Sequence, residues 1–200
     1  MKDNAREFIV KSLRQALLNT GKVPQPPANP SGSHFRLEHS DDMVLNFVKK
    51  FMLCGGNLNY GTTNSEVADI LNHWVHQNNI GTVECGTSEL VNYIRNLNLE
   101  AENYATIAES KCRFGVLLCE TLVAWDGSVV MSSDCFEDKE KIIIPENTVM
   151  VAFSSQVVPD FRTYITRKSK DGNMPRQLQI LYPENIDHKK TQMLLIEDQN

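Results

Sequence analysis

The sequence predicts an α/β fold, with a mainly parallel sheet, helices on both of its faces and an antiparallel hairpin in the second half of the chain. Three observations point there. Amphipathic helical stripes alternate with short apolar runs between residues 40 and 97, a pattern that requires crossover connections between parallel strands. The runs 121–125 and 128–131 are apolar almost throughout, as strands covered on both faces must be. Between them stands Asp126-Gly127, a type I′ turn signal, because both central positions need a positive φ that Gly adopts freely and Asp tolerates.

Taken in order, residues 1–20 carry Phe8, Ile9, Leu13, Ala16 and Leu17 on one helical stripe that Gly21 ends. Residues 21–33 hold Pro24, Pro26, Pro27 and Pro30; missing N–H donors and fixed φ make this a linker. Residues 34–200 form the α/β domain. Ser40-Asp41-Asp42 caps a helix bearing Met43, Val44, Phe47, Val48 and Phe51, and Gly55-Gly56 terminates it. A strand over 57–60 follows. Thr63-Asn64-Ser65 caps a second helix with Val67, Ile70, Leu71, Trp74 and Val75 inward, 80–85 reads as a strand, and Thr87-Ser88 caps a third helix through Leu97. After the hairpin, residues 149–153 read as a strand, with Ser154 or Ser155 capping the helix that follows Pro159-Asp160.

Composition excludes several classes of function. At 200 residues and 41% apolar content the chain can bury a sizeable core, and its net charge of −5 argues against a nucleic-acid partner, which demands a concentrated basic face. Arg167-Lys168-Ser169-Lys170 reads as the solvated end of a helix. No apolar run approaches the roughly 20 residues of a membrane-spanning helix, and Met1-Lys-Asp-Asn-Ala-Arg-Glu lacks the apolar stretch of a secretory signal, so the expected location is the cytoplasm. Cysteines stand at 54, 85, 112, 119 and 135 with no Cys-x-x-Cys; they are expected to be reduced core thiols, not cluster or zinc ligands. His73 and His76 share a helix face but lack a third ligand, so no metal is expected.

Chemistry concentrates near the hairpin. Glu120 is embedded in the apolar run 116–124 and must face solvent, pair with a cation, or be held with a raised pKa, which makes it the candidate catalytic residue. A fringe of Gly127, Ser128, Ser132, Ser133, Ser155 and Gln156, with Ser154, could hold a small carboxylate or phosphorylated ligand on hydroxyls and backbone amides; helix capping is the competing use of those serines. In a sheet of this kind ligands gather beyond the carboxyl ends of the strands, so the loops after Tyr60, Cys85 and Phe153 are the expected location.

The same block resembles the LUD-domain family, typified by lactate-utilisation protein C. Gly115, Cys119-Glu120, Gly127-Ser128, Ser132-Ser133 and Gln156-Val157-Val158-Pro159-Asp160 follow the family pattern, with weaker echoes in the opening helix and in 47–56. The chain departs from it where 134–141 replaces a Gly-Arg loop, and in lacking the Gly-Pro-Ser and Gly-x-His-Gly-Pro segments near the end. The resemblance implies a NagB/RpiA/CoA-transferase-like fold and a cluster-free accessory subunit in the oxidation of lactate to pyruvate. It binds no cofactor itself; iron–sulfur clusters belong to its partner proteins, and homo-oligomers are compatible with the opening arm. The alternative it implies is a stand-alone CoA-transferase-like enzyme or small-molecule binder with Glu120 in the site, since that broad fold includes enzymes with a glutamate nucleophile. A divergent member kept for regulation or assembly also fits.

Overall fold

The structure is a computed structural model that describes residues 42–107 and 113–198. The expected helix 1–20, the linker 21–33 and Cys112 lie outside the described residues.

Among the described residues there are ten strands and four α-helices. The strands are β1 (Leu58–Gly61), β2 (Thr82–Cys85), β3 (Asn103–Thr106), β4 (Phe114–Leu118), β5 (Thr121–Val123), β6 (Val129–Ser132), β7 (Asn147–Phe153), β8 (Val157–Val158), β9 (Leu178–Leu181) and β10 (Thr191–Ile196). The helices are α1 (Met43–Leu53), α2 (Asn64–Gln77), α3 (Ser88–Asn96) and α4 (Phe161–Asp171). Six strands form a wholly parallel sheet in the order β1-β10-β7-β4-β2-β3, as the alternation of helix and strand predicts.

The two faces of that sheet divide the core between them. Met150 and Ala152 of β7 join Leu117, Met193 and Leu195 on one side, beneath Phe47, Val48 and Phe51 of α1; Val149 and Val151 join Val116, Leu194 and Ile196 on the other, beneath α2 and α3. Strand alternation produces the division, and being apolar at every position is its consequence. Phe47 and Phe51 are wholly buried and stacked at 5.6 Å, one helical turn apart.

The hairpin is present but sits elsewhere. β5 and β6 pair antiparallel within a second, four-stranded sheet, β8-β5-β6-β9, that lies on the α1 side of the main sheet. Leu122, Val129 and Met131 face the main core, whereas Val123, Val130 and Val158 face outward under Tyr164 of α4. Both faces of the hairpin are covered, which accounts for its uninterrupted apolar strands.

Its turn is not type I′. Gly127 N–H donates to Val123 C=O at 2.9 Å and Val123 N–H to Ser128 C=O at 2.9 Å, closing a four-residue connection over 124–127. Among those residues only Gly127 has a positive φ, at +77°, while Asp126 turns its side chain to accept the Ser128 N–H at 2.9 Å. The two-residue loop is displaced because Gly127 packs on α1: a Cβ there would lie 2.8 Å from the Phe51 backbone nitrogen and 2.9 Å from Lys50 Cβ.

Local cap chemistry places the helices. Asp42 caps α1, Thr63 caps α2 and Thr87 caps α3, each accepting a first-turn backbone N–H. The start of α4 differs from the reading of Ser154 or Ser155 as its cap: Asp160 accepts the Thr163 N–H at 2.7 Å, and 154–156 instead form a separate 3-10 turn. Gly172 closes α4 at φ +69°.

The thiols divide by burial. Cys85 is pushed up to about 12 by burial and by the nearby Glu84 charge, and burial also raises Cys119 and Cys135. Cys54 is exposed at the end of α1. Mass-mapped alkylation under native conditions is therefore expected to modify Cys54 well before Cys85, Cys119 or Cys135, which should react only once the chain unfolds.

Candidate functional site

Glu120 lies between β4 and β5, just past Cys119 at the carboxyl edge of the parallel sheet, and its backbone N–H donates to Val130 C=O of the hairpin at 2.9 Å. Its side chain is only 10% exposed. Of the routes open to an embedded carboxylate, the structure takes pairing: Oε1 lies 2.6 Å from Lys168 Nζ, whose side chain is 28% exposed, and Oε2 accepts the Ser132 hydroxyl at 2.7 Å. Cys135 Sγ stands 3.5 Å from Ser132 Oγ and 3.9 Å from Glu120 Oε2. Tyr164, one turn before Lys168 on α4, is buried beside the Glu120 carboxylate. Burial, then the negative charge of Glu120, push the phenol pKa upward, so it is a protonated donor at neutral pH.

Four side chains, Ser132 of β6, Cys135 of the turn after it, and Tyr164 and Lys168 of α4, thus gather around the Glu120 carboxylate. Glu120 and Ser132 were legible as candidates; Lys168 and Tyr164 were missed. Lys168 had been placed at a solvated helix end, and the feature that could have found it is its position one turn after Tyr164 on the face that continues Phe161 and Ile165.

The remaining candidates serve other ends. Gln156 ties backbone to backbone: Nε2 donates to Cys119 C=O at 2.6 Å and Oε1 accepts Phe153 N–H at 2.6 Å, locking the end of β4 to the end of β7. Ser133 Oγ accepts the Gln177 N–H at 3.3 Å, anchoring the approach to β9. Gly127 and Ser128 lie at the closed end of the hairpin against α1, whereas Ser132 and Ser133 lie at its open end, so the structure does not bring the two pairs together.

Ser154 and Ser155 do hold a carboxylate, and it is the protein's own. Asp198, just after β10, accepts Ser154 Oγ at 2.8 Å, Ser155 N–H at 2.6 Å and Ser155 Oγ at 3.1 Å. Burial works against the charged form, but these hydrogen bonds outweigh it and hold the carboxyl below the usual aspartate range. A folded pKa below the unfolded one gives stability that is complete above the unfolded value and lost as pH falls through the folded one. The Ser155 amide resonance, followed from pH 7 downward, is expected to move with a midpoint below about 3.9, and Asp198→Asn should abolish that transition.

At the next position along the same edge, Glu137 accepts the Ser88 N–H at 3.0 Å at the start of α3, and its own N–H donates to Gly86 C=O at 2.8 Å. The loops after Tyr60, Cys85 and Phe153 therefore do share one edge of the sheet, as expected of parallel strands, and the latter two are closed by the chain's own carboxylates. Among the described residues there is no group of three or more His, Cys, Asp or Glu side chains placed to hold a metal ion, and no helix is long and apolar enough to cross a membrane.

Comparison with known proteins adds a fold relationship. No family model and no curated sequence matches the chain. Among solved structures it is similar to a DUF162 family protein from Deinococcus radiodurans, with a TM-score of 0.58 and 12% sequence identity over 78% of this chain and 96% of that one. At that identity the likeness is one of fold: the six-stranded parallel sheet with its helices and the second mixed sheet form an α/β architecture consistent with the NagB/RpiA type.

Proposed function

We propose that this protein is a divergent LUD-domain protein acting as a cluster-free accessory subunit in the oxidation of lactate to pyruvate, beside iron–sulfur proteins that carry the electrons. One observation supports it above the rest: the fold likeness reaches 96% of a DUF162 protein, DUF162 being the LUD-domain family, while the residues that resemble that family in sequence, 115–160, fall on the continuous path from β4 through the hairpin to β8. The engagement of both Glu120 oxygens, by Lys168 and by Ser132, supports the accessory reading.

The alternative, a CoA-transferase-like enzyme using Glu120, needs a carboxylate oxygen open to substrate, and the ion pair occupies it. Deleting the gene is expected to abolish growth on lactate as sole carbon source while leaving growth on pyruvate intact, with wild-type complementation restoring it. Unchanged growth on lactate would remove the proposal.

A further inference from the structure

We propose that a cleft at the amino edge of the parallel sheet binds a small α-amino acid, with the ligand carboxylate on Arg113 and its ammonium on Glu84. The cleft opens where two neighbouring strands part. β2 begins at Thr82 and β4 at Phe114, yet their ladder holds only Glu84 against Gly115 and Cys85 against Val116, so the first residues of the two strands stand apart. Each side of the gap is fixed by the strand beyond it. Gly81 C=O accepts the Glu102 and Asn103 N–H groups at 3.0 Å on the β3 side, and Arg113 C=O accepts the Asn147 N–H at 2.9 Å on the β7 side. The cleft measures about 260 Å³, below the roughly 300–1,000 Å³ typical of sites for drug-sized ligands, and so suits a molecule of amino-acid size.

Its lining carries one cation and one anion that do not meet. Arg113 and Glu84 both border the cleft, and neither makes an ion pair or a side-chain hydrogen bond among the described residues. Strand alternation sets Val83 and Cys85 into the core and keeps Glu84 out of it. Glu146, whose carboxylate feels the Arg113 charge, is already paired with Lys190 at 2.6 Å. Ile80 and Phe114 add an apolar wall. A ligand with a single charge would satisfy only half of this set: a simple carboxylate would lie against Glu84, with the Glu102 carboxylate close behind Gly81, and a simple amine would lie against Arg113. A zwitterion with a short apolar side chain complements all three features. The site lies at the far end of β4 from Glu120, and the inference does not rest on the accessory-subunit reading.

The experiment is a titration of the full chain with L-leucine, followed by amide resonances, beside its two single-charge analogues isocaproate and isoamylamine at matched ionic strength. L-Leucine is expected to give saturable shifts at Thr82, Glu84 and Phe114, with half-saturation about tenfold higher for either analogue. Glu84→Gln and Arg113→Gln should each weaken L-leucine binding about tenfold, while unchanged resonances in α1 and β10 show that the fold is kept. Glu84→Gln should also erase the preference for L-leucine over isocaproate. Equal binding of isocaproate by the wild type would make this an anion site and equal binding of isoamylamine a cation site; either would overturn the proposal, as would no saturable shift with L-leucine or binding that both substitutions leave unchanged.

Discussion

Replacing Lys168 by methionine is expected to destabilise the protein by about 3 kcal/mol, at the low end of the range for breaking a buried ion pair. The change leaves the Glu120 carboxylate, 10% exposed, without a cation, beside the Ser132 hydroxyl and the Tyr164 phenol. Residual solvent contact through the lysine side keeps the cost from rising further. Adding Glu120→Leu in the same background should recover most of the loss, since a buried pair exchanged for apolar side chains of similar volume is often neutral. Urea denaturation of wild type, both single variants and the double variant at neutral pH gives the coupling directly. A coupling near zero would mean that the pair behaves as an exposed one.

Gly127→Val is the second large effect, expected to cost about 3 kcal/mol or more. Two costs add. The position has φ +77°, which a β-branched residue strains to adopt, and any Cβ would meet the α1 backbone at 2.8 Å and 3.1 Å as well as Lys50 Cβ at 2.9 Å. The hairpin tip must then lift from α1, opening the contact that seats the second sheet beside Phe51. Thermal denaturation should show a marked fall in midpoint, and Gly172→Ala, also at positive φ but with nothing within 4 Å, should show only the smaller backbone cost. Equal losses at the two glycines would remove the packing argument.

What the sequence revealed was whatever depends on near neighbours. Asp42, Thr63 and Thr87 were recognisable as caps because an N-cap needs only the residues two or three further on. The parallel sheet followed from the helix–strand alternation, and the double burial of the hairpin from its unbroken apolar runs. Features set by distant partners were illegible. Glu120 and Lys168 are separated by most of the second sheet in sequence, and Asp198 meets Ser154 and Ser155 across |i−j| of 43–44. Asp126-Gly127 shows the boundary well: its turn was evident from the dipeptide, but its type was decided by the α1 backbone, which no local signal announces. Gln156 illustrates the converse, a polar residue in a promising place whose amide is spent on joining β4 to β7.

The most direct measurement is purification of the tagged full-length chain from its own cells grown on lactate, with the retained proteins identified and their iron and acid-labile sulfide quantified. The account predicts an iron–sulfur protein in stable stoichiometric complex, with all the iron on that partner and none on this chain after the two are separated. Recovery of the chain alone, or of iron bound to the isolated chain, would contradict it.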